Sequence, residues 1–359
     1  MPPKSSTRTE VPPNGGKPAT IADVAARAGV SKALVSLALR GEPGPNPATR
    51  ERVLAAAAAL GYRANRTASL LARRRTRQLG VVANVRNPFQ AELVEDLQAA
   101  ADALGYELAL SPLTRTHGEP RAIETLLGVR CEALILLGPI SPSRALAELA
   151  RRIPVISVGR RVRVAGVDAV LAADDQGVRQ AVDHLVALGH RAIAHIDGGT
   201  GPIAAVRRRG YQRAMAAHGL QARVIPGDLT EQAGAGAAAA LAGGGEVAPA
   251  GGEASSGGGR GARPPAVVAV NDRCAVGVLD ALTRAGVGVP TEVSVVGYDD
   301  SALAQIAHVD LTTVNQDAAR QARLAVEAAV ERLDGGRTRR REVVLPPRLV
   351  IRGTTAPPR

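Results

Sequence analysis

Lysine and arginine are the side chains whose placement in this sequence points to chemistry. Residues 1–77 hold 14 basic and 4 acidic residues, a net +10, whereas the remaining 282 residues hold 31 and 29. An excess gathered at one end of the chain attracts a polyanion to that end alone. Other reactive types are sparse or wrongly spaced. Cys131 and Cys274 belong to no C-x-x-C or His-rich pattern, so neither a disulfide framework nor a zinc site is indicated, and both read as buried thiols. His184 and His190, in HLVALGH, have no acidic or thiol partner within that segment and read as structural. GGGRGA at 257–262 fits a loose phosphate-loop pattern, yet no strand precedes it and no helix follows closely, so nucleotide binding is rejected. No nucleophile, base and orienting group stand at a recognisable spacing, which argues against an enzyme, and no cofactor is called for.

A basic surface needs a rigid element to present it, and the head supplies one. Thr20-Ile-Ala-Asp offers a helix cap with a carboxylate three residues on, predicting a helix over about 21–28 that Gly29 breaks. Val30-Ser31 gives a turn and a second cap for a helix over about 32–40, ended by Gly41. Asn46, with Pro47 at the first helical position, opens a third helix that Gly61 terminates. Ile21, Val24, Ala25, Val30, Val35 and Leu39 can share an apolar face. Three short helices in such a charged segment fit a helix-turn-helix DNA reader, with a plain helical bundle as the alternative.

The first 19 residues are rich in Pro, Gly, Ser and Lys and read as a disordered arm without the apolar segment of a signal peptide. No uncharged apolar run is long enough to span a bilayer, so a cytoplasmic protein is expected. The chain has five aromatics, Tyr62, Phe89, Tyr106, Tyr211 and Tyr298, so its cores must be built from Ala, Val, Leu and Ile. From Leu79 onward, LGVVANV, YELALSP, ALILLG, PVISVG, AIAHID, AVVAVN and VSVVGYD read as strands separated by helices such as 90–104 and 177–188. Near-continuous apolar strands alternating with helices predict parallel sheets covered on both faces, in two lobes with a cleft between them. Residues 242–265 read as a flexible Gly-rich surface insert.

The stretch TIADVAARAGVSKALVSLALRG followed by NPATRERVLAAAAALGYRANRTASLLARRRT resembles the DNA-binding head and hinge of the LacI/GalR (lactose-repressor/galactose-repressor) family, and the likeness runs from residue 20 to about 353. The fold it implies is α/β: a three-helix head over 20–63, a hinge helix and linker over 64–77, a two-lobed periplasmic-binding-protein-like sensor over 78–353, and a tail over 354–359. The resemblance gives base reading to Lys32, Ala33 and Leu37, and contacts to phosphates or adjoining bases to Ser31, Leu34 and Ser36. Thr20 joins them at the mouth of the first helix. Serine can donate to phosphate, lysine can reach guanine acceptors and alanine can touch a thymine methyl. Leu34 and Leu37 depart from the Thr and Arg usual in the family and read either as thymine-methyl contacts or as packing leucines. Asn65, Arg66, Ala68 and Leu71 fall in the hinge helix, with Leu71 as the minor-groove wedge. Ala64 stands where the family usually has Pro.

In the sensor, the resemblance points to Arg207, Asn271 and Asp299 as polar ligand contacts, with Asp300 as the fallback. Phe89, in Asn87-Pro88-Phe89, is either a stacking surface or a core cap. Guanidinium, amide and carboxylate together offer donors and acceptors, which suits sugars or other hydroxylated metabolites. The function implied is a ligand-controlled transcriptional repressor that binds a pseudo-palindromic duplex as a homodimer, through the first strand and helix of the lobe nearest the head. A solute-binding protein and a ligand-independent DNA binder are the competing readings.

Overall fold

The computed structural model describes residues 19–40, 43–62, 75–242 and 265–359. They form two compact units, divided between Arg75 and Thr76. The expected hinge residues Asn65, Arg66, Ala68 and Leu71 lie outside the described residues, as do residues 1–18 of the expected arm and nearly all of the Gly-rich insert.

The head consists of α1 (Ile21–Ala28), α2 (Lys32–Arg40) and α3 (Pro47–Ala59). Each starts at the expected cap. Thr20 Oγ1 accepts from the amide of Asp23, and the Asp23 carboxylate accepts from the amide of Thr20 at 2.8 Å. Ser31 Oγ accepts from the amide of Leu34 at 3.2 Å, and Asn46 Oδ1 from that of Thr49 at 2.8 Å. Gly29, at φ 66°, closes α1 in the left-handed conformation that a side chain would strain. Helices this short do not hold in water alone, so packing must hold them. Val24, Ala25, Val35, Ala38, Val53, Ala56 and Ala57 form a core of small residues, and Arg50 ties α3 to α2 by donating to the carbonyl of Ala38.

The sensor begins with a six-stranded, fully parallel sheet in the order β11-β5-β4-β3-β1-β2. Its strands are β1 (Gln78–Ala83), β2 (Glu107–Pro112), β3 (Ala133–Leu137), β4 (Val155–Val158), β5 (Val167–Ala172) and β11 (Glu342–Leu345). Alternation decides which side chains meet which helix layer. Leu79, Val81, Ile135 and Leu137 pack against α4 (Pro88–Ala103) and α11 (Ala318–Leu333), while Val82, Leu134 and Leu136 face α5 (Glu119–Gly128) and α6 (Ser143–Ala150).

The second lobe carries a four-stranded parallel sheet ordered β7 (Arg223–Ile225), β6 (Ile193–Ile196), β8 (Ala266–Ala269), β9 (Ser294–Val296). On one face lie α7 (Asp174–Ala187) and α8 (Pro202–Ala217), on the other α9 (Glu231–Ala242) and α10 (Asp272–Arg284). A short antiparallel pair, β10 (Thr313–Asn315) with β12 (Arg348–Val350), completes it. The chain passes between lobes three times: β5 into α7, β10 into α11, and β11 into β12. Seven strands follow the expected apolar runs, and β5, β7, β10, β11 and β12 are additions, of which β5 is the most instructive. VDAVLA, strand β5, carries Asp168 inside an otherwise apolar run. In the fold Asp168 is fully buried, with Arg332 and Arg337 each donating to both its oxygens and the Arg341 amide donating at 2.7 Å. Burial pushes this carboxyl up, but the two guanidinium groups overcome that and hold it below the ordinary value. No helix of the described residues is long and apolar enough to cross a membrane.

Candidate functional site

On the head, Ser31, Lys32 and Ala33 are exposed at the start of α2, and Leu34, Ser36 and Leu37 are half-buried farther along it. Because Ser31 uses its oxygen as the cap, its O–H proton is still available for donation. Neither leucine belongs to the head core, which takes Val35 and Ala38 from this helix. Leu37 lies over the turn into α3, where a Cβ at Gly44 would sit 3.5 Å from its Cδ1. Thr20 is exposed, with its side chain engaged in capping.

In the sensor, strand ends and helix starts converge on the cleft between the lobes. Arg207, on α8, is its hub. Its side chain is only 5% exposed; Nε donates to Asp174 at 2.9 Å, and Nη1 donates to the carbonyl of Val270 at 2.6 Å and lies 3.2 Å from Asp299. Beneath it lies the ring of Tyr298, whose centroid is 3.7 Å from the guanidinium carbon. Burial opposes the charge on Arg207, yet Asp174 and Asp299 outweigh that and raise its pKa above the ordinary value, so it is permanently charged. Asp299 follows β9 at φ 116°, and Gln316 Nε2 donates to it at 2.7 Å. Asn271 opens α10 by accepting from the amide of Cys274 at 2.8 Å, and its Nδ2 makes a long 3.4 Å contact to the carbonyl of Leu229. Phe89 faces these groups from the first lobe, beside Leu93, Leu137 and Val158.

Phe89, Arg207, Asn271 and Asp299 thus border one space of about 100 Å³, together with Asp174, Gln316 and Gln321. Asp300 does not join this lining. With φ 53° following φ 116°, the chain turns the two neighbouring carboxylates apart, and Asp300 accepts from Arg352 at 2.6 Å and from Asn315 at 2.7 Å. Asp272 lies behind Asp299, bonded to the amide and hydroxyl of Ser301 and to the hydroxyl of Thr313. Burial, reinforced by the charge of Asp299, pushes its carboxyl up to about 8. Burial also raises Asp299, to about 6, against the pull of Arg207.

Asp174, Gln316 and Gln321 were not among the sequence candidates. Asp174 stands just after β5, at the carboxyl end of a parallel strand where such sheets bind ligands, and identifying that strand would have exposed it. The two glutamines carry no local signal. The lobes also touch directly: Glu92 of α4 accepts from the amide of Ala302, in a short 3₁₀ helix of the second lobe, at 2.7 Å.

Comparison with known proteins places both units. Residues 20–65 match the family of bacterial regulatory proteins, lacI family, and residues 182–355 match the periplasmic binding protein-like domain. The HTH-type transcriptional regulator AscG of Escherichia coli (strain K12) is 32% identical over 327 residues, which cover 88% of this chain and 93% of that protein. A crystal structure of the lac repressor dimer bound to operator and the anti-inducer ONPF superposes with a TM-score of 0.78 at 28% identity, over 95% of this chain and 100% of the other. The transcriptional regulator CelR in complex with cellobiose matches with a TM-score of 0.67 at 30% identity, over 94% and 99%.

Proposed function

The chain belongs to the lacI family of bacterial regulatory proteins, a family of DNA-binding transcriptional regulators, and from that premise we propose how its parts divide the work. Residues 20–63 bind DNA, with Ser31, Lys32, Ala33, Leu34, Ser36, Leu37 and Thr20 at the duplex. Residues 64–77 form the hinge, where Asn65, Arg66, Ala68 and Leu71 meet the minor groove. Residues 78–353 sense a sugar or another hydroxylated metabolite between the lobes and pair two chains in the cytoplasm, so that two heads span a pseudo-palindromic operator and repress transcription. The relatives support this: one is a repressor dimer on its operator, and another holds cellobiose.

The observation that carries the sensing role is the convergence of Arg207, Asn271, Asp299 and Phe89, from four separate segments, on one space in the cleft. Ion pairing fixes Arg207 and Asp299 in advance, the helix cap fixes Asn271, and the aromatic ring faces them, as a ring-shaped polyol requires. A ligand there changes DNA affinity only through its unequal affinity for two arrangements of the lobes. The test uses the full-length protein and an operator obtained by in vitro selection, with DNA affinity followed by fluorescence anisotropy against sugars and nucleosides. One class should shift the affinity by about 5–150-fold, and Asp299→Asn should abolish the shift while the protein still binds its operator. A variant that responds like the wild type would place the effector elsewhere.

A further inference from the structure

Next to the small space at Arg207 the same cleft widens into a cavity of about 750 Å³, and Gly159, Asp174 and Ile203 border both. The charge changes along the way. At the inner end Asp174 and Asp299 crowd around one guanidinium, with Asp272 behind them. Arg160, Arg161, Arg163 and Arg209 border the outer end, where Asp175 is the one carboxylate besides Asp174. Nη1 of Arg160 is held by the carbonyls of Pro139 and Ser141, which fixes its position without neutralising its charge. Arg161 shares Glu342 with Arg340. Arg163 and Arg209 are exposed and make no ion pair among the described residues.

A second feature favours negative charge at the same place. Helix α8 starts on this cavity, which its residues Pro202, Ile203, Ala205 and Val206 border. Its first turn has no side-chain cap and no acidic residue. The free amide groups and the positive end of a 16-residue helix are therefore uncompensated there. A wholly neutral ligand would leave these groups to water. An anionic group would take them up in charge-assisted hydrogen bonds, and the surplus carboxylates at the inner end would fix which way round it lies.

We propose that the effector is a hydroxylated molecule bearing an anionic group, a phosphate monoester or a carboxylate, with its hydroxyls toward Arg207, Asn271 and Asp299. The anion then lies between Arg163, Arg209 and the first turn of α8. This rests on the effector-controlled reading given above.

Inorganic phosphate, acetate and chloride at equal ionic strength serve as the first probes, with thermal melting of the full-length protein as the readout. Phosphate or acetate should raise the melting temperature above that in chloride, and whichever does so identifies the anion. Arg163→Gln combined with Arg209→Gln should remove that rise, and the variant's melting in chloride checks its fold. No rise in the wild type, or an equal rise in the double variant, overturns the proposal. Titration of a neutral sugar, its phosphate ester and its sugar acid then separates the two readings. The anionic forms should bind about tenfold tighter or more, the fold-change of one charge-assisted hydrogen bond. If a neutral sugar binds as tightly and controls DNA affinity, the anion is rejected and effector control stands. If none of the three changes DNA affinity, both fail.

Discussion

The first lobe faces the cleft with the apolar Phe89, Leu93, Leu137 and Val158 beside the uncharged amides of Asn87, Gln90 and Gln321, while every charged group, Arg207, Asp299 and, just past β5, Asp174, comes with Asn271 from the second. The apolar wall has nothing to gain until something is laid against it, because its contribution is area removed from water. The polar wall has already met the desolvation of its charges by pairing them with one another, so it is rigid before any ligand arrives. One wall thus offers a surface that lobe closure can exploit, and the other a fixed pattern of donors and acceptors that can discriminate. The cross-lobe bond from Ala302 to Glu92 joins the two at the rim.

The contrast is tested most severely at its hub. Arg207→Ala leaves Asp174 and Asp299 buried without their cation and should cost the sensor about 3–5 kcal/mol in urea unfolding. Phe89→Ala, on the half-buried opposite wall, should cost only about 1–2 kcal/mol. Similar losses at both positions would mean that the polar wall is not preorganised. Behind the polar wall, Gly177→Ala would set a Cβ 2.4 Å from the Tyr298 hydroxyl and 2.9 Å from Val314. Overpacking of this kind costs about 1–3 kcal/mol and should lift the ring under Arg207, so effector affinity should fall together with stability.

Acidity provides a third probe. The folded chain keeps the Asp272 proton at pH values where the unfolded chain has lost it, so stability falls as pH rises from the ordinary 3.8 through about 8. Below about 6.5 the lowered His184, His190 and His195 work the other way, since they resist a proton that the unfolded chain accepts. Between those limits the decline should approach, at most, about 1.4 kcal/mol per pH unit, the limit for one proton. Asp272→Asn should flatten it, and an unchanged slope in equilibrium unfolding would assign the proton elsewhere. The smallest effect is expected at the rim. Glu92→Ala removes the cross-lobe bond, worth about 1 kcal/mol, and should weaken effector binding several-fold with little change in melting. Unaltered affinity would mean that this bond does not bias closure.

Much of this was legible locally. The caps at Thr20, Ser31 and Asn46 act over three residues, within reach of any reading of the chain, and the helices begin where those caps stand. The apolar strands and the parallel layers were equally plain, because a strand covered on both faces must be apolar almost throughout. Arg207, Asn271 and Asp299 came into view through the likeness to a known family, and no local rule would have singled them out.

Contacts between distant segments decided the rest. Asp168 broke the pattern of β5 in the sequence, and only the arrival of Arg332 and Arg337 made a buried carboxylate tolerable there. Adjacent in sequence, Asp299 and Asp300 look interchangeable. The left-handed turn sends one to Arg207 and the other to Arg352, because each needs a cation that the chain brings from a different helix or strand end. Composition and short-range hydrogen bonding therefore determined the elements of this protein, since those forces act within a few residues. Which charges meet was settled by the tertiary structure, because a buried ion is stable only where the whole fold delivers its partner.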